Sequence, residues 1–208
     1  MTEELIFKYF PQLTEHQRSQ MAALMPLYTD WNSKINLISR KDIQNLYPHH
    51  VLHSLAIAKF ATFAQGTKIL DVGTGGGFPG IPLAIMFPDV QFHLLDSIGK
   101  KVRVAQDVAE RVGLKNVICE QQRVEEHKGK YHFVVSRAVM PMPDLLRMVR
   151  KNIAKEQMNA IPNGIITLKG GNLADELKPL GKAVETTSVS AYFPDPYFEE
   201  KSIIYLPL

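Results

Sequence analysis

Residues 69–80 read Ile-Leu-Asp-Val-Gly-Thr-Gly-Gly-Gly-Phe-Pro-Gly, and the reading of this stretch decides the fold. Lys68 to Val72 is a short apolar strand, and the glycines after it form a turn almost without side chains, so backbone amides can approach a ligand closely. A Cβ in this turn would resist the tight bend and fill space that a ribose or phosphate must enter. Pro79 and Pro82 suit the first turn of a following helix.

Two cofactor classes fit the turn. Asp71 with Gly73, Gly75 and Gly77 spells D-x-G-x-G-x-G, whereas Gly75, Gly77 and Gly80 spell the dinucleotide pattern G-x-G-x-x-G. The glycines alone do not choose between them. Asp96 ends the next apolar run, about 20 residues past the loop, where a carboxylate can accept from both ribose hydroxyls. An adenosine-containing cofactor of either kind is therefore expected. A triphosphate loop is not, because no Gly-Lys-Ser or Gly-Lys-Thr closes the turn.

Outward from the turn, short apolar runs alternate with helical stretches. Strands are expected at Lys68 to Val72, Gln91 to Leu95, Asn116 to Glu120, His132 to Ser136 and Gly164 to Leu168, with helices near Lys100 to Val112 and Asp144 to Lys151. That alternation specifies an α/β Rossmann-like fold with a mostly parallel sheet. Val184 to Leu206 reads as a terminal antiparallel strand pair. Upstream, Gln17, Met21, Leu24, Tyr28, Trp31 and Ile35 recur at helical spacing, and Thr14 with Gln17 forms a capping box. Pro26 predicts a kink, or two helices meeting, inside that pattern. Another helix is expected from Pro48 to Phe60. The domain reading is an N-terminal helical segment, 1–62, packed on a Rossmann-like unit, 63–208.

The 208 residues are 45% hydrophobic and 22% charged, near the globular average, so neither disorder nor a fibrous repeat is indicated. Lys and Arg number 24 against 21 Asp and Glu, an excess too mild to establish a nucleic-acid partner by itself. Cys119 is the only cysteine, which fits a reducing cytoplasm, and it is expected as a buried strand thiol. Glu3 and Glu4 stand where a signal peptide would be basic, so no membrane association is expected.

Longer strings are more particular. The glycine turn followed by Ile81-Pro82, Trp31-Asn32 with Asn36-Leu37, His50-Val51-Leu52 with Ser54, Leu95 to Arg103, Arg123-Val124-Glu125, Ser136-Arg137-Ala138 and Leu168-Lys169-Gly170 resemble the RsmG family, also called glucose-inhibited division protein B. The resemblance runs from Trp31 to Gly170. It implies a class I methyltransferase fold, S-adenosylmethionine as methyl donor, methylation of guanine N7 in 16S, small-subunit ribosomal RNA, and a bacterial cytoplasmic setting, with the RNA free or within a ribosomal particle. Carried over by position, Gly73 and Phe78 line the cofactor from the glycine turn, Val124 and Glu125 hold its adenine, and Arg137 belongs to the same site; Gly75 and Asp96 join them as the turn glycine and ribose acid read from the pattern above. The sequence departs from the family where His53 replaces an aspartate, and where Lys201 and Leu206 only partly replace a basic pair.

Guanine N7 carries a lone pair and no proton, so no general base is required and no catalytic residue is assigned. Lys100, Arg103, Arg123 and Lys169 are the expected RNA contacts. Lys100, Lys101 and Arg103 fall in the first turn of a helix, where the dipole disfavours cations by up to about 1 kcal/mol each, an arrangement suited to a phosphate partner. Arg147, Arg150 and Lys151 could extend that surface. Because the A-form major groove is deep and narrow, an unpaired target is expected. His49 and His53 share a helix face but have no evident third ligand, so packing is preferred to a metal site. Trp31 and the stripe before it are read as core. The rival functions are a small-molecule methyltransferase, an NAD-dependent oxidoreductase and a non-catalytic RNA-assembly factor.

Overall fold

The computed structural model describes residues 2–39 and 41–208. Its helices are α1 (Glu4–Tyr9), α2 (Glu15–Ala22), α3 (Leu24–Lys34), α4 (His53–Phe60), α5 (Gly80–Met86), α6 (Gly99–Arg111), α7 (Met142–Val149) and α8 (Ala174–Leu177). Its strands are β1 (Lys68–Val72), β2 (Gln91–Asp96), β3 (Val117–Gln121), β4 (Phe133–Arg137), β5 (Gly164–Gly170), β6 (Glu185–Ser188) and β7 (Lys201–Pro207).

The strands form one sheet in the order β3-β2-β1-β4-β5-β7-β6, parallel except where β7 runs antiparallel between β5 and β6. Sequential strands diverge to either side of β1, which pairs with β2 through Val72↔Leu95 and with β4 through Asp71↔Val135. Such a reversal of strand order opens a crevice at the carboxyl ends of the strands. Side chains alternate across the sheet as the pleat requires. Ile69, Phe92, Leu94, Phe133 and Val135 pack with the N-terminal helices, whereas Leu70, Val72, Leu95 and Val134 pack with α7. Both faces are covered, which is why the central strands read as continuous apolar runs.

The expected strands all form, with ends shifted by a residue or two. The Thr14 capping box is made: Gln17 N donates to Thr14 Oγ1 at 3.2 Å and Thr14 N to Gln17 Oε1 at 3.0 Å. The helix break falls at Ala23 rather than at Pro26. Pro26 becomes the third residue of α3, a position whose amide needs no helical partner, so the proline costs nothing there. Leu46–Leu52 winds as a wide π-helical stretch before α4, where an ordinary helix from Pro48 was expected.

The N-terminal helices lie against the sheet unit. Gln20 Nε2 donates to the Val112 carbonyl at 2.9 Å, and Trp31 Nε1 to Asp107 Oδ2 at 2.7 Å. Met21, Leu24 and Tyr28 are buried, with Trp31 packed at their edge, so the stripe is core. Cys119 sits half-buried on β3, its thiol pushed up to about 12 chiefly by burial, which makes it a poor nucleophile. Among the described residues no helix is long and apolar enough to cross a membrane.

Candidate functional site

The glycine turn is held from several directions. Thr74 N donates to the Leu95 carbonyl at 2.9 Å, tying β1 to β2. Asp71 Oδ2 accepts from Thr74 Oγ1 at 2.7 Å and from Gly80 N at 2.8 Å. Asp71 is completely buried, its other oxygen has no partner, and desolvation pushes its carboxyl up to about 7 against the opposing pull of those bonds. It fastens the turn from behind. Tyr28, buried on α3, donates its hydroxyl to the Gly76 carbonyl at 2.7 Å. Gly73 takes φ +68°, and a Cβ on it would lie 2.5 Å from Val139 Cγ2. The position therefore excludes side chains on both conformational and steric grounds.

Asp96 closes the other side. Its Oδ2 accepts from Gly75 N at 2.9 Å and its Oδ1 from Ile98 N at 2.9 Å, so backbone donors fix the carboxylate while further lone pairs face the crevice. A cleft of about 480 Å³ begins here, within the range of small-molecule sites. It brings together Gly73, Asp96, Arg123, Val124, Glu125 and Arg137 of the expected residues, with Lys101 at its edge. Leu95, buried Val124 and Met148 give it an apolar wall. Gly75 and Phe78 do not line this cleft. Gly75 bonds to Asp96, and the Phe78 ring lies 5.2 Å from the Arg137 guanidinium.

Arg137 leaves the end of β4 and reaches the wide helical stretch. Its Nη1 donates to the His49 carbonyl at 3.3 Å and its Nη2 to His50 Nδ1 at 3.1 Å. Asp42 holds both histidines, Oδ1 at 2.6 Å from His49 Nδ1 and Oδ2 at 2.8 Å from His50 Nε2. Burial and then the Arg137 charge push the His50 imidazole down to about 4 despite Asp42. At Asp42 burial acts to raise the carboxyl, but the bonds from His49 and His50 outweigh it and the net shift is downward. His49 also stacks on Tyr197, centroids 3.7 Å apart. His53 is buried beside Tyr197 and Phe198, and desolvation pushes its imidazole down to about 3. Among the described residues no group of three His, Cys, Asp or Glu is arranged to hold a metal.

The expected cations separate into two kinds. Lys100 and Arg103 are exposed on the first turns of α6, and Arg123 is exposed at the cleft. Lys169 is buried instead, with Nζ 2.7 Å from the Met140 carbonyl and 2.8 Å from Glu176 Oε1, beside a separate hollow of about 230 Å³. An ammonium so engaged is held by acceptors of its own chain, unlike the exposed cations of α6. Arg147 is exposed and pairs with Asp144 at 2.9 Å, and Lys201 lies 5.1 Å from the Tyr197 ring.

Sequence reasoning missed Tyr28 as a support of the turn, Asp42 and His50 as supports of Arg137, and the Ala138–Met140 loop bordering the cleft. Ala138 adopts φ +51°, unusual for a residue with a Cβ, and no residue type announced it.

Comparison with known proteins is consistent along nearly the whole chain. The family model GidB, described as rRNA small subunit methyltransferase G, matches residues 17–201. A protein named ribosomal RNA small subunit methyltransferase G from Bacteroides thetaiotaomicron is 60% identical over 97% of this chain and 98% of its own. Among solved structures, a SAM-dependent methyltransferase from Aquifex aeolicus matches with TM-score 0.56 at 16% identity, covering 81% of this chain and 98% of that one. MtNAS in complex with S-adenosylmethionine matches with TM-score 0.57 at 12% identity, covering 92% and 76%.

Proposed function

Because the chain belongs to the GidB family of ribosomal RNA small subunit methyltransferases, we propose that it moves a methyl group from S-adenosylmethionine to N7 of a guanine in small-subunit ribosomal RNA. The observation that carries this reading is the glycine turn locked onto Asp96 at the head of the cleft. The fit is chemical as well as steric. Asp96 retains acceptor capacity for two ribose hydroxyls, Leu95 and Val124 offer an apolar wall to an adenine, and the Gly73 backbone lines the cleft beside them.

S-adenosylmethionine, when bound, supplies an electrophilic methyl group on a sulfonium centre. The protein's own task is alignment and exclusion of water. N7 has no proton to remove, so the absence of an assigned base is consistent with the chemistry. A cation facing N7 would oppose the positive charge that develops on the methylated ring; Lys101 and Arg123 border the cleft, and Lys100 and Arg103 are exposed on the first turns of α6, where all four would hold RNA phosphates. A target base lifted from its helix exposes N7 most readily, which makes an unpaired guanine the expected substrate. The setting would be the bacterial cytoplasm, on free RNA or a ribosomal particle.

The test is methyl transfer from labelled S-adenosylmethionine to unmodified small-subunit RNA, naked and as assembled particles, followed by mass mapping of methylguanine. Label at one guanine N7 is expected. Label only in a metabolite extract, or binding of NAD in place of S-adenosylhomocysteine, would overturn the reading.

A further inference from the structure

Resting on the cofactor reading above, we propose that Asp42 and His50 are positioning residues that set the Arg137 guanidinium on the wall of the cleft, so that the segment before α4 governs nucleoside binding. The argument is one of donors and acceptors. A guanidinium can only donate. Arg137 Nη2 lies 3.1 Å from His50 Nδ1, so that nitrogen must present a lone pair and the ring's proton must sit on Nε2. Nε2 lies 2.8 Å from Asp42 Oδ2, which accepts it. Only one arrangement satisfies both contacts: a neutral imidazole between a cation and an anion, with every bond donated in the same direction. The downward push on the His50 imidazole agrees with it.

The remaining partners of Arg137 are the His49 carbonyl at 3.3 Å and the Phe78 ring at 5.2 Å. No carboxylate lies within ion-pair distance of Arg137 among the described residues. The cation is thus steered by neutral groups and keeps its charge available to an electron-rich or anionic part of a ligand, whereas a carboxylate partner would have neutralised it. Asp42 sits one residue further out, ionised, and also accepts from His49 Nδ1 at 2.6 Å, which orients the backbone whose carbonyl meets Arg137. The wide turns of Leu46–Leu52 bring these histidines to one carboxylate, in keeping with the frequent occurrence of such turns at functional sites.

The test uses the full chain with S-adenosylhomocysteine as ligand. Nitrogen NMR of labelled histidine should show His50 protonated at Nε2 and bare at Nδ1 near neutral pH. Calorimetry should find Asp42→Ala and His50→Phe weakening binding by about tenfold or more, the scale of losing a hydrogen bond to a charged group. His50→Gln, whose amide accepts and donates at once, should restore most of the affinity. In an Arg137→Ala background, Asp42→Ala should add nothing further. The opposite tautomer, an imidazolium, or an Asp42→Ala loss that persists without Arg137 overturns the proposal. His50→Gln as damaging as His50→Phe does the same. A wild-type chain that binds no S-adenosylhomocysteine overturns the cofactor reading, and the proposal with it; wild-type binding with additive losses overturns the proposal alone.

Discussion

Deleting one oxygen, Tyr28→Phe, probes the support beneath the glycine turn. The hydroxyl and the Gly76 carbonyl are both buried and 2.7 Å apart, and no other donor reaches that carbonyl among the described hydrogen bonds. The ring stays, with its packing on Phe78 at 4.8 Å between centroids, so no cavity term arises. The expected cost is that of orphaning a buried carbonyl, about 1–3 kcal/mol. For a chain of this size each kcal/mol moves the melting midpoint by roughly 2–4 °C, so a fall of about 5 °C is expected by calorimetry. Gly76 belongs to the turn between Gly73 and Phe78. Part of the loss should therefore also appear as S-adenosylhomocysteine binding a few times weaker, since 1.4 kcal/mol is about tenfold in affinity. A midpoint and affinity both unchanged would refute the reasoning, because the carbonyl would then not depend on Tyr28. A destabilisation as large as that of Tyr28→Ala would show that packing, not the hydrogen bond, was being measured.

Three further outcomes are expected. Neutralising Lys100→Gln and Arg103→Gln should lower the slope of log affinity against log salt for single-stranded RNA by about 1.4, at about 0.7 per phosphate contact, while the affinity for S-adenosylhomocysteine holds; an unchanged slope removes both residues from the RNA surface. Glu176→Ala should cost about 3 kcal/mol by denaturant titration, because it strands buried Lys169 and frees the Met142 amide that donates to Glu176 at 2.8 Å, whereas replacing Lys169 and Glu176 together by Met should recover most of it. His53 is held neutral, its imidazole at about 3 against an ordinary 6.5, so the unfolded chain binds the proton first. Its contribution to stability is complete above about pH 6.5 and is lost as pH falls toward 3, by up to about 1.4 kcal/mol per unit. The stability difference between wild type and His53→Phe should narrow or reverse in favour of the variant across that window, and a difference independent of pH would show that folding does not hold the His53 proton off.

The legible parts of the fold were those whose cause is local. Glycines after an apolar strand can do little else than turn, and Asp96 was recognisable because strand length and loop length fix where an acid must stand. The capping box was equally explicit, needing only Thr14 and Gln17. The burial and pairing of Lys169 were not legible because its partner Glu176 arrives in α8, a helix of four residues with no periodicity to announce it. The break at Ala23 escaped notice because Pro26 is the conspicuous residue and helix amides are dispensable only near the N-terminus. Asp42 and His50 carry no motif for the grip on Arg137, since the partner is 87 residues away from His50 and only the folded topology brings them together.

The contact between Tyr197 and the His49 carbonyl spans 148 residues of chain, and that between Arg137 and His50 spans 87. During synthesis, therefore, the corner that orients the cleft's cation leaves the ribosome well before the cation itself, and waits longer still for the aromatic lid that stacks on it. A nascent chain stalled between these points would carry Asp42 and both histidines with no guanidinium to orient. The residues that line the cleft run only from Val72 to Met148, so the whole lining is on the chain well before the tyrosine that stacks on His49.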